Sequence, residues 1–482
     1  MGFQGVYSML NGMPDVLCER VFLSDPEDFE EYRRTGTELF SLESKRHIKD
    51  FDMLAFSVSF ENDYPNIMQM LRLARIPFLS RERTHGEPLL LYGGITAFSN
   101  PEPLADFFDV VFIGEAEPLI PLFLEAARRS STKSELLKDL LKVEGIYIPS
   151  LYKVDYFPSG PIERRTVLNG APERIKKVFA PSYRDFKMRH GILTPNTEFA
   201  DMRLIELMRG CPWSCAFCLT GQVYNPPRRK PKEAVLVEIR EARSGGARVG
   251  LIGPSISDYP GITELLTEKD VEFSITSLRS GKKSIEMLPA LKRHKSLSIA
   301  AEAGTERLRK VIEKRISEED IRETSRAILE NGINLRLYFM VGLPTETDED
   351  IEGLINLVRK IRKTSSRGKI TLTVSTFVPK PFTPFERHPM ERPNVVKERL
   401  KRIKKSLQGE KGVSVFHDVP KYAYMQGVFA MGDRRLSKAL ARMAEGLDYK
   451  TALKESGLSE EFYIFREKGQ DEILPWDFID AG

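Results

Sequence analysis

The chain has 482 residues, 41% hydrophobic and 29% charged, with a net charge of +4. That composition suits about two to four globular domains and shows no charge excess that would demand a nucleic-acid partner. No apolar run approaches the length of a membrane span, and Met1-Gly2-Phe3-Gln4 lacks the basic-then-apolar pattern of a secretory signal. Four cysteines in a chain of this size fit a reducing compartment, so a cytoplasmic location is expected.

Gly2–Gly12 reads as a helix. The first 150 residues then alternate short, β-rich segments (Val16–Ser24, Asp52–Phe60, Leu89–Ala97, Asp109–Gly114) with helical ones (Asp25–Thr35, Asp63–Arg75, Pro101–Phe107). Such alternation predicts a Rossmann-like, doubly wound parallel sheet with covering helices. Its ligand would lie beyond the carboxyl ends of the strands. Those ends carry Ser57-Val58-Ser59, Gly93-Gly94 and Gly114-Glu115, where glycines let a backbone approach a large flat or phosphorylated ligand, or simply make tight turns.

A helix at Ser134–Val143 and a hairpin-like pair, Gly145–Pro149 with Tyr152–Phe157, complete this first domain (1–158). Residues 159–200, with Pro161, Pro172, Pro181 and Pro195, read as an irregular linker.

From 201 to 410 the β–α rhythm returns with longer helices. Strands are predicted at Arg203–Met208, Arg248–Gly253, Glu272–Thr276, Ser296–Ala301, Leu335–Val341 and Lys369–Phe377. Helices are predicted at Lys232–Ser244, Ile262–Lys269, Ser284–Arg293, Thr305–Lys314, Glu318–Asn331 and Thr347–Arg362. Six βα units are two short of a complete barrel, and their active residues should gather at the carboxyl ends of the strands. Helix 394–408 carries Lys401-Arg402-Ile403-Lys404-Lys405, a solvated face or a weak RNA contact. Residues 411–482 read as a small mixed appendage.

The chemistry is concentrated in Cys211-Pro212-Trp213-Ser214-Cys215-Ala216-Phe217-Cys218, spaced C-x3-C-x2-C. A 4Fe–4S cube ordinarily takes about four thiolates, so three in one loop leave one iron open. The competing reading, a zinc site or buried structural cysteines, lacks the second ligand pair that zinc motifs carry. The stretch, with Phe217 before its third cysteine, resembles the signature of the radical S-adenosylmethionine superfamily. That resemblance implies a partial (β/α)6 barrel and a 4Fe–4S cluster on Cys211, Cys215 and Cys218. It also implies S-adenosylmethionine chelated at the open iron and cleaved to a 5′-deoxyadenosyl radical, with a flavodoxin- or ferredoxin-type reductant as partner.

Other segments extend the likeness. Glu302 in Ala300-Ala301-Glu302-Ala303-Gly304 is placed to accept from ribose hydroxyls, or to act as a charge at a helix N-terminus. Lys314 stands where the superfamily often meets the methionine carboxylate, although a surface lysine reads the same way. Gly342, in Phe339-Met340-Val341-Gly342-Leu343-Pro344, resembles the motif beside the adenine. Where the family has Gly-Gly-Glu, this chain has Gly253-Pro254-Ser255-Ile256-Ser257-Asp258, so Ser255 and Asp258 are candidate substitutes. Arg279 is a candidate carboxylate partner because its planar fork suits bidentate binding.

Tyr92-Gly93-Gly94, Asn100-Pro101-Glu102-Pro103 and Phe112-Ile113-Gly114-Glu115 look like the cobalamin-binding domain that precedes the barrel in many of these enzymes. The resemblance implies cobalamin against Ser57, Ser59, Gly93, Gly94 and Gly114. The D-x-H-x-x-G motif is absent, so no histidine would bind cobalt from below. In similar proteins a strand and a Met-Ser turn precede the opening helix, which would fit a start at a downstream methionine.

The reading favoured is cobalamin-dependent methylation of an unactivated carbon, on RNA, protein or another substrate. The rivals are a cobalamin-independent radical reaction and a non-enzymatic redox or cobalamin sensor. Methylthio transfer in its usual form needs three further cysteines, and only Cys18 is left.

Overall fold

The computed structural model describes residues 2–182, 192–196, 199–268, 271, 273–275 and 277–482. Two compact units divide the chain: one runs to Pro181 and includes Met425–Gly482, the other spans Ser182–Tyr424.

The first unit is built on β1 (Met53–Ser57), β2 (Leu89–Gly93) and β3 (Val110–Phe112), which pair in parallel and in chain order. β4 (Ile146–Tyr147) adds to β3 in the antiparallel sense. β2 reads Leu-Leu-Leu-Tyr, and its first four residues are buried, the continuous apolar run of a strand covered on both faces. Helices Ala116–Arg129 and Lys133–Leu140 supply Phe123, Ala126, Leu136 and Leu140 to the core over β2, β3 and β4.

Several local expectations change. Val16–Ser24 pairs with no strand among the described residues. β2 stops at Gly93, and Ile95–Ser99 is a short helix. Pro101–Phe107 holds only a single 3-10 turn, Glu102–Leu104, its prolines removing two amide donors.

The predicted hairpin is replaced by another. β5 (Tyr152–Tyr156) pairs with β6 (Ile162–Val167), inside the expected linker. Its cause is the run Pro158-Ser159-Gly160-Pro161, which reverses the chain instead of ending structure. Gly160, at φ +111°, donates to the Phe157 carbonyl at 2.9 Å, and Phe157 donates to Pro161 at the same distance. Further on, β7 (Ile175–Lys176) pairs in parallel with Ile479–Asp480. Residues 183–191 and 197–198 of the predicted linker lie outside the described residues, as do Lys269, Glu272 and Thr276 at the ends of two predicted elements.

Among its described residues the second unit contains seven parallel strands. β8 (Met202–Glu206) leads into β9 (Met208–Arg209), which pairs antiparallel with β10 (Arg228–Arg229) across the cysteine loop. β11 (Arg248–Ile252) lies between β8 and β12 (Phe273–Ile275). β13 (Ser296–Glu302), β14 (Asn334–Val341), β15 (Ile370–Thr376) and β16 (Val413–His417) form a four-stranded parallel sheet. Among the described residues, one parallel bridge, Leu278 to Ile299, links the segment after β12 to β13.

The helices fall close to prediction. Lys232–Ser244 matches at both ends, and Glu318–Glu330 opens on a capping box between Ser317 and Asp320. Leu335, Leu337, Phe339 and Val341 of β14 share one core with Leu354, Ile355 and Val358 of helix Asp348–Thr364.

The 411–482 region is therefore not one appendage. Val413 and Val415 pack on the barrel core as its seventh strand, whereas residues from Met425 onward belong to the first unit. There Asn100 donates to the carbonyls of Ala430 and Gly432 at 2.9 and 2.8 Å. The buried Glu102 carboxylate receives Tyr147 at 2.5 Å, Arg434 at 3.2 Å and Arg165 at 3.3 Å. Burial alone would raise this carboxyl, but the two guanidinium charges and the hydrogen bonds hold it down at about 2.

Candidate functional site

The cysteine loop begins at Gly210, whose φ of +78° and whose closeness to the Tyr224 carbonyl leave no space for a side chain. Ala216 donates to the Ile312 carbonyl at 3.0 Å and packs with Ala303, Leu308, Ile312, Leu343 and Phe377. Phe217 and Met340 lie against the same cluster. The loop thus rests on residues that follow β13, β14 and β15, at the end where a barrel carries its chemistry.

All three thiols of the loop are free, with Cys215 buried and the other two half-buried. Burial is the main influence on Cys211 and Cys215 and pushes both thiols up. Charge on Cys218 raises them further, while Lys314 and Arg279 oppose the rise. Among the described residues no three Cys, His, Asp or Glu side chains converge as ligands of one ion. Cys215 feels the charge of both Cys211 and Cys218, so the three thiols of one loop fit the three protein ligands of a 4Fe–4S cluster with an open iron.

A clasp unforeseen in the sequence holds this loop. The indole of Trp213 donates to Asp258 Oδ2 at 2.6 Å, and Ser255 donates to the same oxygen at 2.8 Å. Lys283 reaches Asp258 Oδ1 at 3.2 Å. The Arg279 guanidinium lies 3.7 Å from the Trp213 ring centroid and donates to the carbonyls of Lys314 and Arg315 at 2.8 and 2.9 Å. Ser255 and Arg279 are therefore both beside the cysteine loop, but they are occupied by the protein's own groups. A cavity of about 450 Å³ adjoins the clasp, lined in part by Arg229, Asp258, Tyr259 and Lys283. Ser255, Asp258 and Arg279 are each candidates from the sequence, but their closure on Trp213 is not legible there.

Glu302 and Lys314 meet each other. Lys314 Nζ lies 2.9 Å from Glu302 Oε1, and both side chains are only 12–13% exposed. Glu302 is the last residue of β13, at φ +64° after a shift in register, so it is not a helix-terminal charge. Lys314 lies beyond helix Glu306–Val311, 6.0 Å from the Phe217 ring centroid. Gly342, at φ +81°, donates to Glu346 Oε2 at 2.7 Å. Burial pushes the Glu346 carboxyl up to about 7, against the Gly342 hydrogen bond and the Arg399 guanidinium 2.8 Å away.

The candidates of the first unit separate into two kinds. Ala55, Ser57 and Ser59 are exposed in alternation along and just beyond β1, and Ser57 is paired with Gly93. They form a row of small groups at a strand end. Gly94 (φ +106°) and Gly114 (φ +143°) instead abut the backbones of Val58 and Val178, so contacts within the chain already account for both glycines.

Two family models match the chain. Residues 2–149 fit the N-terminal domain of radical SAM proteins, and residues 205–358 fit the radical SAM superfamily. An uncharacterised protein of Methanocaldococcus jannaschii is 32% identical over 448 residues, 91% of each chain. The tRNA-2-methylthio-N(6)-dimethylallyladenosine synthase of Legionella pneumophila is 23% identical over 269 residues, 50% of this chain and 57% of that one. Among solved structures, the radical S-adenosylmethionine methyltransferase TsrM of Kitasatospora setae, with cobalamin and a 4Fe–4S cluster bound, shares the fold. Its TM-score is 0.54 at 12% identity, over 92% of this chain and 96% of that one.

Proposed function

Because the chain belongs to the radical S-adenosylmethionine superfamily, we propose that Cys211, Cys215 and Cys218 hold its cluster and that it methylates an unactivated carbon with cobalamin. Membership makes it an enzyme whose cofactors are a 4Fe–4S cluster and S-adenosylmethionine. When bound, that cluster supplies the electron that cleaves the sulfonium to a 5′-deoxyadenosyl radical.

The chain's own residues provide the setting. Three thiols leave one iron without a protein ligand, and the positive charges of Arg279 and Lys314 favour the thiolate forms. Glu302, with Lys314 beside it, would accept from ribose hydroxyls. Ala216, Phe217, Met340 and Leu343 make an apolar wall that excludes water. Ser57, Ser59 and Gly93 would line cobalamin, with the turns at Gly94 and Gly114 shaping the strand ends around it.

The observation that carries the methylation reading is the fold shared, along nearly the whole chain, with a methyltransferase solved with cobalamin and cluster. Methylthio transfer is disfavoured by the cysteine count, since Cys18 alone remains outside the loop. The electron would come from a flavodoxin- or ferredoxin-type partner.

Anaerobic reconstitution with hydroxocobalamin tests the proposal. Uptake of about one cobalamin per chain is expected, with a base-off spectrum unchanged in His47→Ala and His85→Ala. Cell extract and methyl-labelled S-adenosylmethionine should then yield S-adenosylhomocysteine and 5′-deoxyadenosine together. Protein that forms 5′-deoxyadenosine yet takes up no cobalamin would contradict the methylation reading.

A further inference from the structure

We propose that the inner face of the sheet β13–β14–β15–β16 is the substrate site, and that it takes a planar aromatic molecule carrying an anionic group. The inference rests on the enzymatic reading above but not on the identity of the second cofactor.

Side chains of a strand point to opposite faces in turn. In β14, Leu335, Leu337, Phe339 and Val341 are buried in the core shared with the helices, so Arg336, Tyr338 and Met340 point the other way. In β15, Ile370, Leu372 and Val374 take the helix side, which leaves Thr371, Thr373 and Ser375 on the inner side. In β16 the same rule places Val413 and Val415 on the core and turns Ser414 and Phe416 inward. The inner surfaces of closed barrels are packed with branched apolar residues. Here that surface carries hydroxyls and a guanidinium, and Arg336, Tyr338, Ser414 and Phe416 are exposed on it.

The register sorts these residues into rows. Tyr338 pairs with Thr373, and Thr373 with Phe416. One step deeper, Ser298 pairs with Arg336, Arg336 with Thr371, and Thr371 with Ser414. Tyr338 is 36% exposed and Phe416 61% exposed, high values for aromatic rings on a sheet's inner side. They stand two strands apart, about 9–10 Å, with only Thr373 between them. Barrel curvature narrows that gap toward the roughly 7 Å that one ring stacked on two others occupies.

Arg336 supplies the charge. Its guanidinium is exposed on this face and has no carboxylate or carbonyl partner among the described residues. A planar five-donor fork with no such partner, between the hydroxyl-bearing Ser298 and Thr371 on the neighbouring strands, is suited to a carboxylate or phosphate. Arg336 precedes Met340 by four residues, about 13 Å at the strand rise. Met340 itself abuts the cluster that includes Ala216 and Phe217 of the cysteine loop. A ligand anchored at Arg336 and stacked between Tyr338 and Phe416 would therefore present its far end toward that loop.

Binding of 2-naphthoate to the reconstituted full-length protein, read by fluorescence titration and by saturation-transfer NMR, tests this without any turnover. We expect saturable binding that is stronger than that of the neutral 2-naphthamide or the non-planar cyclohexanecarboxylate. Arg336→Gln should weaken 2-naphthoate about tenfold or more, the loss of a bond to a charged group, and leave 2-naphthamide unchanged. Phe416→Ala should weaken both aromatic probes. Lys401→Gln, on the outer helix, should change nothing, and thermal unfolding should report that each variant is folded. Equal affinity for charged and neutral probes, indifference to Arg336→Gln, or no saturable binding by the folded wild-type protein would overturn the proposal. Iron content and 5′-deoxyadenosine formation, measured on the same samples, report separately on the cluster.

Discussion

At the scale of single residues, the site is a set of charges already satisfied by one another. Glu302 and Lys314 form a pair shielded from solvent, and such a pair is more sensitive to loss of one member than to loss of both. Removing the carboxylate alone leaves the ammonium with its loop and withdraws the acceptor proposed for the ribose. We expect Glu302→Gln to weaken S-adenosylmethionine binding by about 1–3 kcal/mol, the usual loss for a hydrogen bond involving a charged group. Iron content should be unchanged. Equilibrium dialysis of reconstituted protein measures this, and unaltered affinity in a folded variant would return Glu302 to a purely structural role. The sequence placed both residues at the site but not against each other, because a contact twelve positions apart is made by the turn after Val311 and not by any local period.

At the scale of elements, the C-terminal segment is held to the first unit through Glu102. A carboxyl lowered from 4.5 to about 2 contributes stability that is present above its unfolded value and lost as pH falls through the folded one. The unit should therefore weaken progressively between about pH 5 and pH 2. Arg434→Ala would strand part of a buried charge, at a cost of about 3–5 kcal/mol near neutral pH. The two tryptophans lie one in each unit, Trp213 and Trp476. In a Trp213→Phe background, urea unfolding followed by Trp476 fluorescence reads the first unit, and an unmoved midpoint would refute the role given to Arg434.

This attachment also marks where sequence reasoning stopped. The β–α rhythm was legible because long amphipathic helices such as Lys232–Ser244 and Glu318–Glu330 carry their period and caps locally. β6 was hidden because a Pro-Ser-Gly-Pro run looks the same in a reverse turn and in a linker. β16 was hidden because five residues with two core-facing valines give too short a pattern. The glycines at 94 and 114 were legible as sites of close approach, but only packing shows that Val58 and Val178 make it. The Trp213–Asp258–Arg279 clasp is tertiary throughout, joining the cysteine loop to the ends of two strands.

At the scale of the whole molecule, the chain brings one cysteine loop, one parallel barrel and one smaller sheet unit into a single polypeptide. No described helix is long and apolar enough to cross a membrane. We propose that one cluster, on three cysteines of one loop, initiates the chemistry. The most direct test is iron analysis together with 5′-deoxyadenosine formation from S-adenosylmethionine and dithionite, after anaerobic reconstitution. We expect about four irons per wild-type chain and steady 5′-deoxyadenosine formation. Cys18→Ala should match wild type, and product should vanish in each of Cys211→Ala, Cys215→Ala and Cys218→Ala. About eight irons per chain, or product that survives loss of any loop cysteine, would contradict it.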